Sequence, residues 1–405
     1  MFSPNGTQIA SASNDRTIQL WEVASGRCIQ KLKGHAHPVY SIAFSPNGAQ
    51  VASASYDKTV RLWEAASGRC IQVLQGHGHP VNSIAFSPNG AQVASASYDW
   101  TVRLWEAASS CYIQELKDYS DRVSSVVFSP NGAQVASTSG DQTVRLWEVA
   151  SGCCIQELSH SGQVRSVAFS PDGTQVASAS DDRTVQLWEA ASGRRIQELK
   201  GHSDRVNSVA FSLDDRAQVV ASASNDKTIR LWKAASGRCI QELKGHIGSV
   251  TSVAFSPNDS AWVASGSEDR TFRLWEVASG CCIQKLDHDT WVWSVAFSPD
   301  GTQVASATNY TFRLWEAASG RCIQELKRYN NWGYSAVSAD YQALVQVGAA
   351  LSSDGCWVTL GGRRIVWLPP EVRPSASAFL GRTVALGSRL GRVVVIGFSE
   401  DTSVS

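Results

Sequence analysis

The sequence predicts an all-β protein, a propeller of four-stranded antiparallel blades, on three observations. The first is repetition. Phe-Ser, usually followed by Pro-Asn/Asp-Gly, recurs at Phe2, Phe44, Phe86, Phe128, Phe169, Phe211, Phe255 and Phe297. A Leu-Trp pair follows each time, at Trp21, Trp63, Trp105, Trp147, Trp188, Trp232, Trp275 and Trp315, and the spacing stays between 40 and 44 residues. The second is period: within each unit the apolar residues fall into short β-branched runs separated by Gly, Asn and Asp, the pattern of strands and tight turns. The third is economy. One small sheet cannot bury both of its faces, so units must stack, and radial stacking gives a propeller.

The elements follow in a fixed order. SVAFS is the first strand and PNG or PDG the first turn; QVASAS is the second strand, ended by a tight turn at an aspartate. TVRLWE is the third strand and RCIQELK the fourth. Eight units are recognisable over residues 1–331; the first is truncated, opening at Phe2 without its first strand. A chain that opens there predicts either a longer array or a borrowed strand.

Composition narrows the function. The chain has 405 residues, 43% of them hydrophobic, with 36 basic and 36 acidic side chains and zero net charge. That balance argues against an electrostatic grip on nucleic acid or an anionic membrane. The opening MFSPNGTQIA has no basic stretch before an apolar run, and nothing approaches the roughly 20 apolar residues of a membrane span. The expectation is a cytoplasmic protein. Its ten cysteines recur about once per unit, too far apart for disulfides, and no CxxC occurs. The HxH pairs at His35/His37 and His77/His79 lie in separate units without nearby carboxylates, short of the ligands a metal needs. Neither a phosphate-binding loop nor HExxH nor GxSxG is present, so no cofactor, metal or catalytic residue is expected.

The period, the Gly-His before the first strand, the turn aspartate and the Leu-Trp resemble WD40 repeats over nearly the whole chain. The dipeptide here is Trp-Glu, or Trp232-Lys233, rather than Trp-Asp. The resemblance implies a hydrogen-bonded network of His, Ser, Asp and Trp inside each blade. The sets are His35, Ser53, Asp57, Trp63; His77, Ser95, Asp99, Trp105; His160, Ser178, Asp182, Trp188; His202, Ser222, Asp226, Trp232; and His246, Ser265, Asp269, Trp275. Which serine of each Ser-Ala-Ser takes part stays open. A Ser-His-Asp set also suggests a hydrolase, but a triad is needed once and this set recurs in five units. It reads as a buried polar network that holds a turn. Two units depart: the fourth has Asp118-Tyr119 for Gly-His, and the eighth keeps His288 and Trp315 but has Asn309 for the aspartate, one residue short. Looser blades are expected there.

Beyond the eighth unit two echoes remain, Ala349–Trp367 and Ser377–Phe398. They read as degenerate units over 332–398 that complete the propeller, with a disordered tail at 399–405. Ten units exceed the roughly four to eight blades usual in propellers, which leaves one oversized ring or two assemblies open. WLPPEVRPSASA and the units around it are similar to the C-terminal ends of fungal heterokaryon-incompatibility proteins. That resemblance implies the sensor part of an immune-type receptor.

Function is read where the copies differ. Beside the constant aspartates stand Tyr56 and Lys58 in one unit and Tyr98 and Trp100 in the next, with Asp181 and Glu268 before the aspartate of later ones. The first strand opens with Tyr40, Asn82, Arg165 or Trp293, and two residues earlier stand Arg122, Arg205 or Trp291. Both places lie at one end of a blade, so these side chains should share one rim. Tyr, Trp and Arg are enriched at binding hot spots. The expectation is a non-catalytic module that binds a protein or another macromolecule on one face.

Overall fold

The structure is a computed structural model. It describes residues 1–327 apart from 110, 118, 214–217, 259 and 310, and beyond them six strands between Ala349 and Gly397. Two compact units are present, Met1–Leu344 and Val345–Ser405. The tail expected at 399–405 lies outside the described residues.

Blade 1 contains β1 (Gln8–Ala12), β2 (Thr17–Glu22) and β3 (Cys28–Lys33). Blade 2 adds a full set, β4 (Val39–Phe44), β5 (Gln50–Ser55), β6 (Val60–Glu64) and β7 (Cys70–Leu74), hydrogen-bonded in that order. The same meander recurs in blades 3 to 8, whose first strands open at Val81, Val123, Val164, Val206, Val250 and Val292. First strands pack against first strands of neighbouring blades, so they are innermost.

The sequence of each strand suits its place. In β5 the Val51-Ala52-Ser53-Ala54-Ser55 run is buried on both faces, and its small side chains let the flanking blades close in. The outer β7, CIQVL, alternates between partly buried and exposed positions, as an edge strand facing water does. Apolar residues therefore collect between blades rather than at one centre. Val39, Phe44, Val51 and Trp63 of blade 2 pack on Ile18, Leu20 and Leu32 of blade 1. Similar layers follow around the ring. The last joins Phe2, Ile9 and Val23 of blade 1 to Ala305, Phe312 and Leu314 of blade 8.

The ring thus closes after eight blades, and the oversized ten-blade ring is not formed. Closure works although blade 1 has three strands. Met1 exchanges both backbone hydrogen bonds with Ala10, at 2.7 Å each, and Phe2 bridges Ile9. These two residues stand where a first strand ends in the other blades. In the second unit, Ala349–Leu351, Trp357–Leu360 and Arg363–Trp367 form one three-stranded antiparallel sheet. Pro374–Leu380, Thr383–Ser388 and Val393–Gly397 form another.

Candidate functional site

Under the turns lie the polar networks. In blade 2, Trp63 Nε1 donates to Ser53 Oγ at 2.8 Å, and the same Oγ lies 2.7 Å from His35 Nε2. His35 Nδ1 lies 2.7 Å from Asp57 Oδ2, which also accepts the Ala36 N–H at 2.9 Å. Asp57 Oδ1 accepts the Thr59 amide at 3.0 Å and its hydroxyl at 2.6 Å. One hydroxyl proton and one acceptor make the direction plain: Ser53 takes the indole N–H and donates to the imidazole, whose other N–H goes to the carboxylate. The structure brings all five sets together in this way, with His–Asp distances of 2.7–2.9 Å.

The first serine of each Ser-Ala-Ser is the partner. The second, Ser55 in blade 2, instead donates to the His37 and Pro38 carbonyls and accepts the Asp57 N–H. Burial of the Asp57 carboxyl works against ionisation, but hydrogen bonds from His35, Thr59 and Ala36 outweigh it and hold the group well below the usual carboxylate range. Asp99, Asp182, Asp226 and Asp269 behave alike. None of the five serines has any exposed surface. Each Oγ is committed to an indole and an imidazole, which leaves a substrate carbonyl no approach.

Blade 4 is rewired rather than loosened. Tyr119 fills the place of the histidine, and its hydroxyl bonds to Ser137 Oγ, which also takes the Trp147 N–H at 2.8 Å. A phenol cannot also reach the aspartate. Arg145 does so, with its Nη1 3.0 Å from Asp141 Oδ2 and its guanidinium 4.3 Å over the Tyr119 ring. Arg145→Ala should therefore cost about 1–3 kcal/mol more than Arg61→Ala in blade 2, where the imidazole serves the aspartate. Parallel denaturant melts of the two variants measure the difference.

Above the networks the backbone marks the variable positions in two ways. The residue after each turn aspartate is left-handed, with φ of 66–73° at Arg16, Lys58, Trp100, Gln142, Arg183, Lys227 and Arg270. That conformation costs a residue with a Cβ roughly 1 kcal/mol or more and is cheap only for glycine. Most other left-handed turns of these units carry glycine, as Gly48 and Gly68 do in blade 2 and Gly132 and Gly152 in blade 4, although blade 7 has Ser260 at φ 50°. The second mark is a β-bulge. In blade 2, Val39 faces Ser55 and Ser41 faces Ala54, which leaves Tyr40 as the extra residue. Asn82, Ser124, Arg165, Asn207, Thr251 and Trp293 are bulged in the same register. A bulge re-aims its side chain and often sits beside a functional site. Sequence reasoning found the variable letters but neither backbone feature, because both depend on pairing between strands.

The predicted rim residues sit as follows. Tyr40 and Tyr56 meet edge to face at 5.9 Å, with His37 against Tyr56 at 5.8 Å. Tyr98 of blade 3 holds the Arg122 guanidinium of blade 4 at 5.7 Å, so the rim is continuous there. Trp100 is 52% exposed and Lys58 is exposed beside its own turn. Trp291, 46% exposed, leans on Trp293 at 5.5 Å. Others are tied down. Arg165 forms a two-pronged pair with Asp181 at 2.8 Å, and Asn82 donates to the Ser124 carbonyl of the next blade at 2.7 Å. Arg205 is exposed and Glu268 half-buried. Among the described residues no group of three His, Cys, Asp or Glu could hold a metal ion, and the nine described cysteines are free.

The pattern of the WD domain, G-beta repeat family matches residues 1–22, 26–64, 68–106, 110–148, 152–189, 193–233, 237–276 and 280–316. The chain belongs to the WD40 repeat family. Each WD40 repeat is offset from a blade by one strand: residues 26–64 take in β3 of blade 1 and the first three strands of blade 2. That offset knits neighbouring blades covalently. Among curated proteins, the chain is 48% identical over 51 residues to the vegetative incompatibility protein HET-E-1 of Podospora anserina, covering 13% of this chain and 4% of that protein. It is 51% identical over 43 residues to the F-box-like/WD repeat-containing protein TBL1X of Mus musculus, 10% of this chain and 8% of that one. It is 42% identical over 43 residues to the U5 small nuclear ribonucleoprotein 40 kDa protein of Pongo abelii, 11% of this chain and 12% of that one. The matched part is thus a small fraction of each relative, about the length of one repeat. Among solved structures, the computationally designed Ika8 protein aligns with a TM-score of 0.69 at 26% identity, over 76% of this chain and 93% of that one.

Among the described residues no helix is long and apolar enough to cross a membrane.

Proposed function

We propose that this propeller is a non-catalytic recognition module that binds a protein partner across its turn rim. One observation carries the reading: at a left-handed position where glycine is cheapest, seven units each spend a larger side chain, arginine or lysine in five of them and Trp100 and Gln142 in the other two. A scaffold position with no task would be expected to relax to glycine, as most other left-handed turns of these units do. Tyr40, Tyr56, Tyr98, Trp100 and Arg122 form the richest arc, a mixture of aromatic faces and a guanidinium suited to a protein surface. Within that reading the module is the sensor of an incompatibility-type receptor, supported by the single-repeat likeness to HET-E-1. An adaptor role is favoured by the equally local likeness to TBL1X, an F-box-like protein.

Two swaps borrowed from sister repeats test it, Trp100→Lys and Tyr56→Asn. Both alter exposed side chains and should change folding stability by no more than about 0.5 kcal/mol. Binding to a partner captured with the wild-type chain should weaken about thirtyfold for a true hot spot, equivalent to roughly 2 kcal/mol. Unchanged affinity in both folded variants, measured by calorimetry, would place recognition elsewhere.

A further inference from the structure

In five blades the histidine Nδ1 is aimed at an aspartate oxygen that also accepts the next residue's backbone N–H. Blade 8 builds the same cradle without the aspartate. His288 is only 6% exposed, its Nε2 lies 2.8 Å from Ser306 Oγ, and that Oγ takes the Trp315 N–H at 2.7 Å. The indole N–H uses the serine oxygen as acceptor, so the serine proton goes to Nε2 and His288 carries its own proton on Nδ1. The ring is held as in the sister blades, with Nδ1–H pointing where they keep a carboxylate.

The turn opposite is one residue shorter. Ser306 to Thr311 spans what Ser265 to Thr271 spans in blade 7, and Thr308 Oγ1 closes the loop by accepting the Thr311 N–H at 2.9 Å. Val292 pairs with Thr308, which sets the opening of the first strand beside this turn. Among the described residues, four buried polar atoms here have no hydrogen-bond partner in the protein: His288 Nδ1, Thr290 Oγ1, Trp293 Nε1 and Asn309 Oδ1. Buried polar groups without partners are costly and rare; four at one turn point to a ligand. Three of the four can donate, an imidazole N–H, an indole N–H and a hydroxyl, while Asn309 Oδ1 is an acceptor whose amide can turn to present its NH2 instead. The exposed Trp291 packs against the Trp293 ring at 5.5 Å.

We propose that blade 8 holds a carboxylate-binding site, in which an acid from outside the chain takes the place that Asp57 and its counterparts fill in the sister blades. His288 Nδ1–H is its principal donor, with Trp293 and Thr290 beside it. Arg313 stands nearby with its charge shared: its Nη1 donates to the Asp287 carbonyl at 2.7 Å, and its Nη2 donates to Glu325 at 3.3 Å and lies 3.6 Å from Asp289. The Asp289 side chain is 76% exposed, so water screens its repulsion. The site stands on the geometry of blade 8 and not on the reading of the rim, so either can fail alone.

Sodium formate is the smallest probe. Titrated into the full chain against sodium chloride at equal ionic strength, it should raise the melting temperature saturably, by about 2 °C once well above its dissociation constant. It should also move the His288 imidazole signals in an NMR titration. A capped tetrapeptide containing one aspartate forms the second arm. Binding at least tenfold tighter than formate assigns the site to an acidic side chain of a partner; equal or weaker binding assigns it to a free small acid. An aspartate inserted between Asn309 and Tyr310 restores the sister turn and should abolish the response. Asp289→Asn should keep or strengthen it. The proposal is overturned if neither probe acts beyond chloride, if the insertion variant responds in full, or if a response appears only once Asp289 is neutralised.

Discussion

Replacing Trp232 with alanine should lower the stability of the ring by about 3–5 kcal/mol, the range for removing a large aromatic from a packed core. The side chain is 1% exposed and packs in the layer formed by Leu187, Leu199, Val209 and Phe211 of two blades. It also donates to Ser222 Oγ at 2.8 Å. Truncation therefore opens a cavity between blades and takes the indole donor from a buried hydroxyl. Trp232→Phe separates these effects: it keeps most of the packing and deletes only the donor, and should cost about 1 kcal/mol through the network. Chemical denaturation of both variants gives the two figures. A loss below about 1 kcal/mol for the alanine variant would mean that the indole does not join the blades as described.

Acid should unfold the ring in two stages. The first belongs to histidine. Burial pushes the His288 pKa down to about 4, with Arg313 acting in the same direction. His246 is also lowered, chiefly by burial. A base whose folded pKa lies below its unfolded value is protonated first in the unfolded chain. Its contribution is therefore complete above about pH 6.5 and is lost as the pH falls toward 4, roughly 3 kcal/mol for His288. The second stage belongs to Asp57, Asp99, Asp182, Asp226 and Asp269, whose folded pKa values lie below the ordinary carboxylate value. Their stabilisation is present above about pH 4 and disappears as the pH falls further. Melting temperature against pH should show both slopes. His288→Gln should flatten the upper one, and Asp226→Asn should reduce the lower one. A wild-type curve that is level between pH 6.5 and 4 would contradict the burial of a neutral imidazole in blade 8.

Much of this was legible in the residues. Each strand is short and bounded by Gly, Asn or Asp, and each network joins groups within one repeat, so eight copies of one pattern expose both. Repetition marked the histidine, aspartate and tryptophan of five blades, and the resemblance to WD40 repeats implied that they are joined in one network. Which serine they share was not legible, because Ser53 and Ser55 lie on the same face of one strand and differ only in what packs above them. The replacement in blade 4 was hidden too. Arg145 has counterparts in Arg61 and Arg103, and only the place of Tyr119 decides that this arginine must serve Asp141.

The sequence by itself determined the blade: its strands, its turns, its buried Leu-Trp, and the letters that vary beside a constant aspartate. The tertiary structure alone decided that eight blades close the ring, because closure depends on Phe2 and Ile9 meeting Phe312 and Leu314 across more than 300 residues of chain. It also decided which variable residues are spent inside the protein, as Asn82 and Arg165 are, and which stay exposed, as Trp100 does. The reason is physical: strand period and turn chemistry act between near neighbours, whereas bulge register, left-handed turns and contacts between blades exist only once separate strands have paired.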